Sequence, residues 1–383
     1  MSLALALGRR GLGNTWPNPA VGAVIVRHDG AEPVIVGRGW TQPGGRPHAE
    51  TEALRRAGLA ARGATLYATL EPCSHHGKTP PCTDAIIAAG IVRVVSAIED
   101  PNAPVAGRGH ALLRASGIMV DVGVGAAEAR RAHAGHIRNV CDHRPHIFLK
   151  LAVSADGKAG LVGRKPAPIT GEATGAIMHL ERAMNDAILI GVGTALADDP
   201  QLTCRLPGMA ARSPVRVVLD TDLRLPVTGV LARSARETPV WVIAGENAPE
   251  AAETALMARG VEVFRVPAAF SLSTRAQREG AGAPYAATRP VTSRLDLFAV
   301  VRLLAKRGIT RLIVEGGPIV AAAFLAADLV DEAALLRGPN PIGLDGIDAL
   351  EGMPLTALTE SSILSSRGIE TAGEDTIETF ERV

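Results

Sequence analysis

The sequence predicts an α/β protein built as two successive units, and three observations carry that reading. At 383 residues the chain exceeds what one hydrophobic core ordinarily serves, so length implies about two domains. Short apolar runs alternate with segments of helical spacing along most of the chain. Apolar residues make up 47% of it and aromatics 3%, so aliphatic side chains and alanine fill the interior.

In the first unit an amphipathic helix near 2–12 leads into a turn at Pro17-Asn18-Pro19. Val21–Val26 and Val34–Val36 read as paired strands about a turn at His28–Pro33. His48–Ala57 has helical spacing after Pro47, Ala64–Leu70 is a strand, Pro81–Ala89 a helix, and Val92–Ala97 a strand. Gly107–Ser116 is helical, Ile118–Val122 extended, and Ala126–Asn139 a last helix before the break at His143-Arg144-Pro145. That break divides the chain into 1–143 and 144–383.

The second unit opens with the strand Ile147–Val153, and Thr170 is the expected N-cap of a helix running through Arg182. Ala187–Ile190, Val215–Leu219, Val240–Ile243, Val261–Phe264 and Leu312–Val314 read as strands. Helices at Pro249–Arg259, Leu295–Arg307 and Ile319–Ala326 alternate with the later ones. Pro267–Arg294, rich in Ala, Gly, Ser and Arg without a period, reads as a mobile surface loop.

Charge and cysteine content narrow the function. Lys+Arg 40 against Asp+Glu 39 leaves a formal charge of +1, which gives no field to draw the whole molecule onto nucleic acid. No window approaches the ~18 apolar residues of a membrane span, and the start, MSLALALGRRGLG, is apolar before it is basic, the reverse of a secretory signal. Of the four cysteines, Cys141 and Cys204 show no pairing pattern, so a reducing cytoplasm is expected.

The chemistry concentrates in PHAE (47–50) and TLEPCSHHGKTPPC (69–82). His48, Cys73 and Cys82 are the number and kind of ligands that hold a catalytic zinc with one position open. Glu50, two residues after the histidine, is a non-ligand acid able to shuttle the protons of an activated water. The nucleobase deaminases carry H-x-E followed by P-C-x-x-C; here eight residues separate the cysteines instead of two. A structural zinc, with His75 or His76 as fourth ligand, and two plain buried cysteines are the competing readings. His48 and Glu50 fall at a helix N-terminus and Cys82 starts the next helix, where a thiolate is easier to hold.

Other constellations are weaker. Asn18 and Asp100-Pro101-Asn102 are good turns in their own right, and Lys78 between the cysteines is either a solvated charge or a phosphate partner. His133, His136, Cys141, His143 and His146 have spacing too irregular for a second metal site. VEGGP (314–318) could bring backbone N–H groups to a phosphate at a helix N-terminus, or be a tight turn. Gly191-Val192-Gly193 lacks a complete dinucleotide fingerprint, and Asp198-Asp199 reads as a capping pair.

Taken together, PNPAVGAVIV, HAE, TLEPCSHHGKTPPC and EDPNAPVAGRG resemble the bacterial bifunctional deaminase–reductases of riboflavin biosynthesis, which use the longer cysteine spacing. KLAVSADGK (150–158), ITG (169–171), ILIGVGTALADDPQLTCR (188–205), VLDTDLRLP (218–226) and VEGGP extend the likeness over nearly the whole chain. The resemblance implies a cytidine-deaminase-like three-layer α/β/α domain followed by a dihydrofolate-reductase-like α/β domain. It implies zinc-dependent removal of the 2-amino group from a diaminopyrimidinone bearing a ribosylamino 5′-phosphate, then NADPH reduction of ribosyl to ribityl. Glu50 would be the proton carrier, with Asn18, His75, Lys78, Asp100 and Asn102 around the pyrimidine and its phosphate. In the reductase, Arg182, Leu202, Arg205 and Glu315 match substrate positions. Ala152, Thr194, Asp198, Thr221 and the segment from Gly317 match cofactor positions. The family also implies a homo-oligomer, dimer or tetramer, acting on a small molecule.

Three departures stand out: Pro168 where many members carry tryptophan, RGPNPIG (337–343) in place of a lysine-containing stretch, and a late-starting first helix. They motivate an alternative in which the deaminase is active and the reductase half impaired. A zinc-containing nucleic-acid binder is the rival from another class, and it lacks the basic face and stacking aromatics such a protein needs.

Overall fold

The computed structural model describes residues 1–28, 32–77, 79–164, 167–269 and 294–383. The first unit holds a five-stranded sheet of β1 (Gly22–Arg27), β2 (Val34–Trp40), β3 (Thr65–Ala68), β4 (Arg93–Ser96) and β5 (Met119–Val122) in the order β2-β1-β3-β4-β5. β1 is antiparallel to both neighbours, whereas β3, β4 and β5 run parallel. Its helices are α1 (Ser2–Gly8), α2 (Ala49–Ala57), α3 (Cys82–Ala88), α4 (Arg108–Ala115), α5 (Ala126–Ala132) and α6 (Ala134–Asp142).

Glycines set the layering. A Cβ on Gly39 would lie 2.2 Å from the Ala49 carbonyl oxygen and one on Gly37 2.4 Å from that of Ala53, so α2 rests directly on the β2 backbone. A Cβ on Gly22 would lie 1.8 Å from the Ala4 carbonyl oxygen, which puts α1 on β1. Because Gly22 pairs with Trp40 and Ala23 with Gly39, and side chains alternate across a strand, α1 and α2 cover opposite faces. The strand expected at Val34–Val36 therefore runs on to Trp40: Gly37 and Gly39 lower strand propensity but allow the helix to approach.

The expected helix 2–12 ends at Gly8 and continues as a 3₁₀ turn, Arg9–Gly11. The expected helix 126–139 is broken at His133, which leaves helical geometry (φ −97°, ψ 13°) and turns its ring inward, 2% exposed, with Nε2 3.0 Å from Thr69 Oγ1. Burial holds this imidazole down to about 3, hence neutral.

The second unit carries a nine-stranded sheet. Its strands are β6 (His146–Val153), β8 (Ala187–Gly191), β9 (Val215–Leu219), β10 (Val240–Gly245), β11 (Glu262–Val266), β12 (Arg311–Val314), β13 (Glu332–Arg337), β15 (Leu364–Ala372) and β16 (Asp375–Arg382). Their order is β11-β10-β9-β8-β12-β6-β13-β16-β15. All pairs are parallel up to β13, and the β15–β16 hairpin adds antiparallel strands. A small pair, β7 (Lys158–Leu161) and β14 (Gly346–Asp348), lies apart. The helices are α7 (Glu172–Met184), α8 (Val192–Asp198), α9 (Val230–Arg233), α10 (Glu250–Ala258), α11 (Leu297–Lys306), α12 (Pro318–Ala326) and α13 (Thr356–Thr359).

The central parallel strands of this sheet are buried on both faces, as parallel sheets with crossover helices are. Ala187 and Leu189 join one core while Ile188 and Ile190 join the other. The N-cap of α7 is Gly171, not Thr170; the Asp375 carboxylate, from β16, accepts from Gly171 N (2.7 Å) and Thr174 Oγ1 (2.6 Å). Residues 270–293 of the expected loop, and 29–31 of the expected turn, lie outside the described residues. The ends of the former meet as an antiparallel bridge, Ala268 with Leu295.

RGPNPIG leaves the sheet intact. β13 pairs with β6 and β16 up to Arg337, and the loop beyond is gripped by Asp156, which accepts from Ile342 N (2.9 Å) and Gly343 N (2.7 Å). These bonds and the Ser154 hydroxyl, the largest cause, hold the exposed Asp156 carboxyl down to about 2. Among the described residues no helix is long and apolar enough to cross a membrane.

Candidate active sites

Local structure brings the sequence-predicted zinc ligands together. His48 is the N-cap of α2, Cys73 follows the turn after β3, and Cys82 is the first residue of α3. His48 Nδ1 lies 3.3 Å from Cys82 Sγ and 3.6 Å from Cys73 Sγ, and all three donor atoms fall within 4.8 Å of one another. A tetrahedral zinc with ordinary Zn–N and Zn–S bonds spaces its ligands about 3.5–3.8 Å apart, so the donor set fits the metal. Among the described residues no fourth His, Cys, Asp or Glu joins the group, and His75 and His76 are exposed.

The Cys82 thiol and backbone N–H both donate toward Cys73 Sγ, which makes Cys73 the more acidic of the two thiols. Glu50, on the first turn of α2, is 4% exposed. Burial pushes its carboxyl up to about 7; His48 opposes this and the charge on Cys73 adds to it.

Of the remaining first-half residues, the described ones fall on three loops, at 18, 75 and 100–102. The Asn18 amide lies over Gly45, whose Cβ would fall 2.1 Å from Nδ2. Asp100 Oδ1 accepts from Asn102 N (2.9 Å) and stands 3.5 Å from His136 Nε2. Burial raises the Asp100 pKa, but His136, the Asn102 N–H and His75 together bring it below the usual carboxylate value. His75 is exposed on the loop between the cysteines, and Lys78 lies outside the described residues. His136 thus stands beside the Asp100 turn, and among the described residues it joins no group of three or more potential metal ligands.

Two residues escaped the sequence reading. Arg46 reaches over the same loop, with Nη1 2.5 Å from Thr79 Oγ1. Glu71 accepts four backbone N–H bonds: Asp100 (3.0 Å) and Gly107 (2.9 Å) on Oε2, Gly109 (2.7 Å) and His110 (3.3 Å) on Oε1. Its proximity to Glu99 and His110 resembles a second metal cluster, but oxygens so fully engaged mark an anchor. The signal in the sequence is an acid at a strand end, two residues before a ligand, with glycines at 107 and 109 to let the loop close over it.

In the second unit a cleft of about 400 Å³ opens at the carboxyl ends of β6, β8 and β12, the usual ligand crevice of a parallel sheet. Ala152, Thr194, Asp198, Glu315 and Gly317 line it, together with Lys150, Pro168 and residues of the β7–β14 pair. Thr194 Oγ1 accepts from Gly317 N (3.1 Å), tying α8 to the N-terminus of α12. Arg182 joins through Glu315, donating from Nε (2.6 Å) and Nη2 (2.8 Å), with Nη1 on Thr203 O (3.3 Å). Burial raises the Glu315 pKa, but Arg182 and Lys150, whose Nζ is 3.9 Å away, leave it below the usual value.

Four of the named reductase residues do not line this cleft: Arg182, which meets it only through Glu315, and Leu202, Arg205 and Thr221. Leu202 is buried with φ +55°. Arg205 is exposed, its N–H on His179 Nδ1 (3.3 Å). Thr221 packs beside Gly245, accepting its N–H (3.0 Å).

Comparison with known proteins matches both halves of the chain. The family model for the cytidine and deoxycytidylate deaminase zinc-binding region matches residues 1–98, and that for the RibD C-terminal domain matches 145–377. The riboflavin biosynthesis protein RibD of Aquifex aeolicus is 36% identical over 382 residues, covering 100% of this chain and 97% of that protein. RibD of Escherichia coli is 38% identical, covering 92% and 91%. Among solved structures, Acinetobacter baumannii RibD superposes with a TM-score of 0.81 at 30% identity, over 100% of this chain and 97% of that one. The Thermotoga maritima diaminohydroxyphosphoribosylaminopyrimidine deaminase/5-amino-6-(5-phosphoribosylamino)uracil reductase gives 0.80 at 33%, with the same coverage. With both halves matched and nearly the full length aligned, the chain belongs to the RibD family of riboflavin biosynthesis, bifunctional enzymes that join a zinc-dependent deaminase to a reductase.

Proposed function

We propose that the protein deaminates 2,5-diamino-6-ribosylamino-4(3H)-pyrimidinone 5′-phosphate and then reduces the ribosyl chain with NADPH, giving 5-amino-6-ribitylamino-uracil 5′-phosphate. The observation that carries this is the meeting of His48, Cys73 and Cys82 beside the buried Glu50. His48, Cys73 and Cys82 would hold zinc, which would supply Lewis acidity that brings the pKa of a water toward about 7. Glu50, buried beside these ligands, would take a proton from that water and pass protons to the ring nitrogen and to departing ammonia. Its burial keeps the protonated form accessible. Asn18, His75, Asp100 and Asn102 orient the pyrimidine, and Lys78 the phosphate.

For the second step, Arg182, Leu202, Arg205 and Glu315 hold the substrate, while Ala152, Thr194, Asp198, Thr221 and the segment from Gly317 hold NADPH. The Arg182–Glu315 fork fixes one wall of the cleft, and the start of α12 at Gly317 and Pro318 lines another part of it. NADPH held there would supply a hydride for C1 of the opened sugar, and the role left to the protein's own residues would be to orient the two and exclude water. We place the domain boundary at 143/144, supported by the left-handed turn of His143 (φ +54°) that closes α6. Cysteines serving as thiolate ligands suit a reducing cytoplasm.

The test is product mass after incubation of the zinc-loaded protein with the diamino substrate, with and without NADPH. Exchange of amine for oxygen raises the mass by about one unit and reduction by about two more. Ammonia release without NADPH consumption would instead identify an impaired reductase half.

A further inference from the structure

The Asn18 segment is braced from outside its own sheet. Arg212, on the 3₁₀ turn Ala210–Arg212 that precedes β9, spans three carbonyls. Nη1 donates to Arg10 O (3.1 Å), and Nη2 to Leu12 O (2.5 Å) and Ala183 O (3.3 Å). Two acceptors belong to the segment following α1 and the third to the last turn of α7. Only a planar fork with several donors serves three acceptors set this way.

Two contacts beside it are as tight. Gly13 has φ +73°, and a Cβ there would lie 2.4 Å from Ala183 O. Trp16 packs against the core of the second unit, and a Cβ on Gly308 would lie 3.1 Å from Pro17 Cβ. From these anchors the chain is relayed inward. Asn14 O accepts from Gly44 N (2.9 Å), Thr15 and Asn18 exchange two bonds of 3.0 Å each, and the Asn18 amide rests on Gly45, three residues before His48.

We propose that Arg212, a residue of the reductase half, is a positioning residue of the deaminase site, holding segment 10–18 so that Asn18 faces the pyrimidine. The inference rests on the deaminase reading above and extends it: the substrate side of the first active site is completed by the second domain. Neither Arg212 nor Gly13 belongs to the ligand group or to the residues placed around the pyrimidine.

The experiment is steady-state ammonia release by the full-length, zinc-loaded protein. Arg212→Ala should raise KM about five- to thirtyfold, the effect of losing one to two kcal/mol of placement, with kcat and zinc content unchanged. Arg212→Lys, which keeps one donor group but no fork, should fall between, and Gly13→Ala should raise KM from the other side of the joint. In an Asn18→Ala background, Arg212→Ala should add nothing, because both changes act on one contact. A normal KM in folded Arg212→Ala would overturn the proposal, as would a rise of equal size with and without Asn18. If Arg212→Ala does not fold, normal KM values in both Arg212→Lys and Gly13→Ala overturn it. Absence of ammonia release by the wild-type protein would instead sink the deaminase reading, a result separable from any of these.

Discussion

Replacing Glu71 by Gln tests whether the metal loop and the Asp100–Asn102 loop form one unit. The two carboxylate oxygens of Glu71 accept four backbone N–H groups, two each. A glutamine amide retains one oxygen, so whichever way it turns, two of those four donors face an NH₂ group. A buried donor left without an acceptor costs about 1–3 kcal/mol, and bonds to a charged acceptor are the stronger kind. Allowing some relaxation of the loop, the loss for two donors is about 2–4 kcal/mol. Urea unfolding followed by fluorescence should show that loss, and deamination KM should rise because Asp100 N is one of the four donors. A change below about 0.5 kcal/mol, the range of an inert surface substitution, together with an unaltered KM would refute the reasoning.

Three further outcomes follow from the geometry. Asp331, 2% exposed, binds Arg144 (2.5 and 2.7 Å), Arg138 (3.0 Å) and Ile147 N (2.9 Å) where α6 meets the second sheet. Burial alone would raise its pKa, but Arg144, His146 and the Ile147 N–H bring the net value below the ordinary one. The stability it contributes is therefore present above the unfolded pKa of about 3.9 and lost as pH falls through the lower folded value. Asp331→Asn should cost about 3–5 kcal/mol at neutral pH and flatten the acid limb of a Tm-against-pH curve. Gly39→Ala puts a Cβ 2.2 Å from Ala49 O, so α2 must lift and carry His48 with it; thermal unfolding should show about 1–3 kcal/mol lost, and a zinc-chelator competition should show weaker metal binding. Arg182→Lys cannot keep both bonds to Glu315 and the one to Thr203 O, so NADPH oxidation with deaminated substrate should slow while ammonia release is unchanged.

The sequence was most legible where chemistry demands fixed residue types. His48, Cys73 and Cys82 converge as their order and spacing imply, and the parallel strands of the second sheet announce themselves as apolar runs because both their faces are buried. It was least legible where the partner is distant in the chain. Gly171 is capped by Asp375, about two hundred positions on, so Thr170 was the only visible candidate. The β15–β16 hairpin is written in Ser, Thr, Glu and Arg, with buried Ile377 and Phe380 too sparse to show a period. Arg212 satisfies backbone groups of other segments, and nothing local distinguishes it from an ordinary surface charge; Glu71 does the same, and its signal, an acid two residues before a ligand, needs the distant glycines 107 and 109 to be read. The break at His133 is of the same kind: the residue leaves the helix for a hydrogen bond with Thr69.

The central claim is that Glu50 moves protons beside a metal it does not bind. Ammonia release and zinc content measured together on Glu50→Gln test this most directly. One zinc per chain should be retained and deamination slowed by about 10²–10⁴, the usual share of a general acid–base. Zinc lost with the carboxylate, or ammonia released at the wild-type rate, would contradict it.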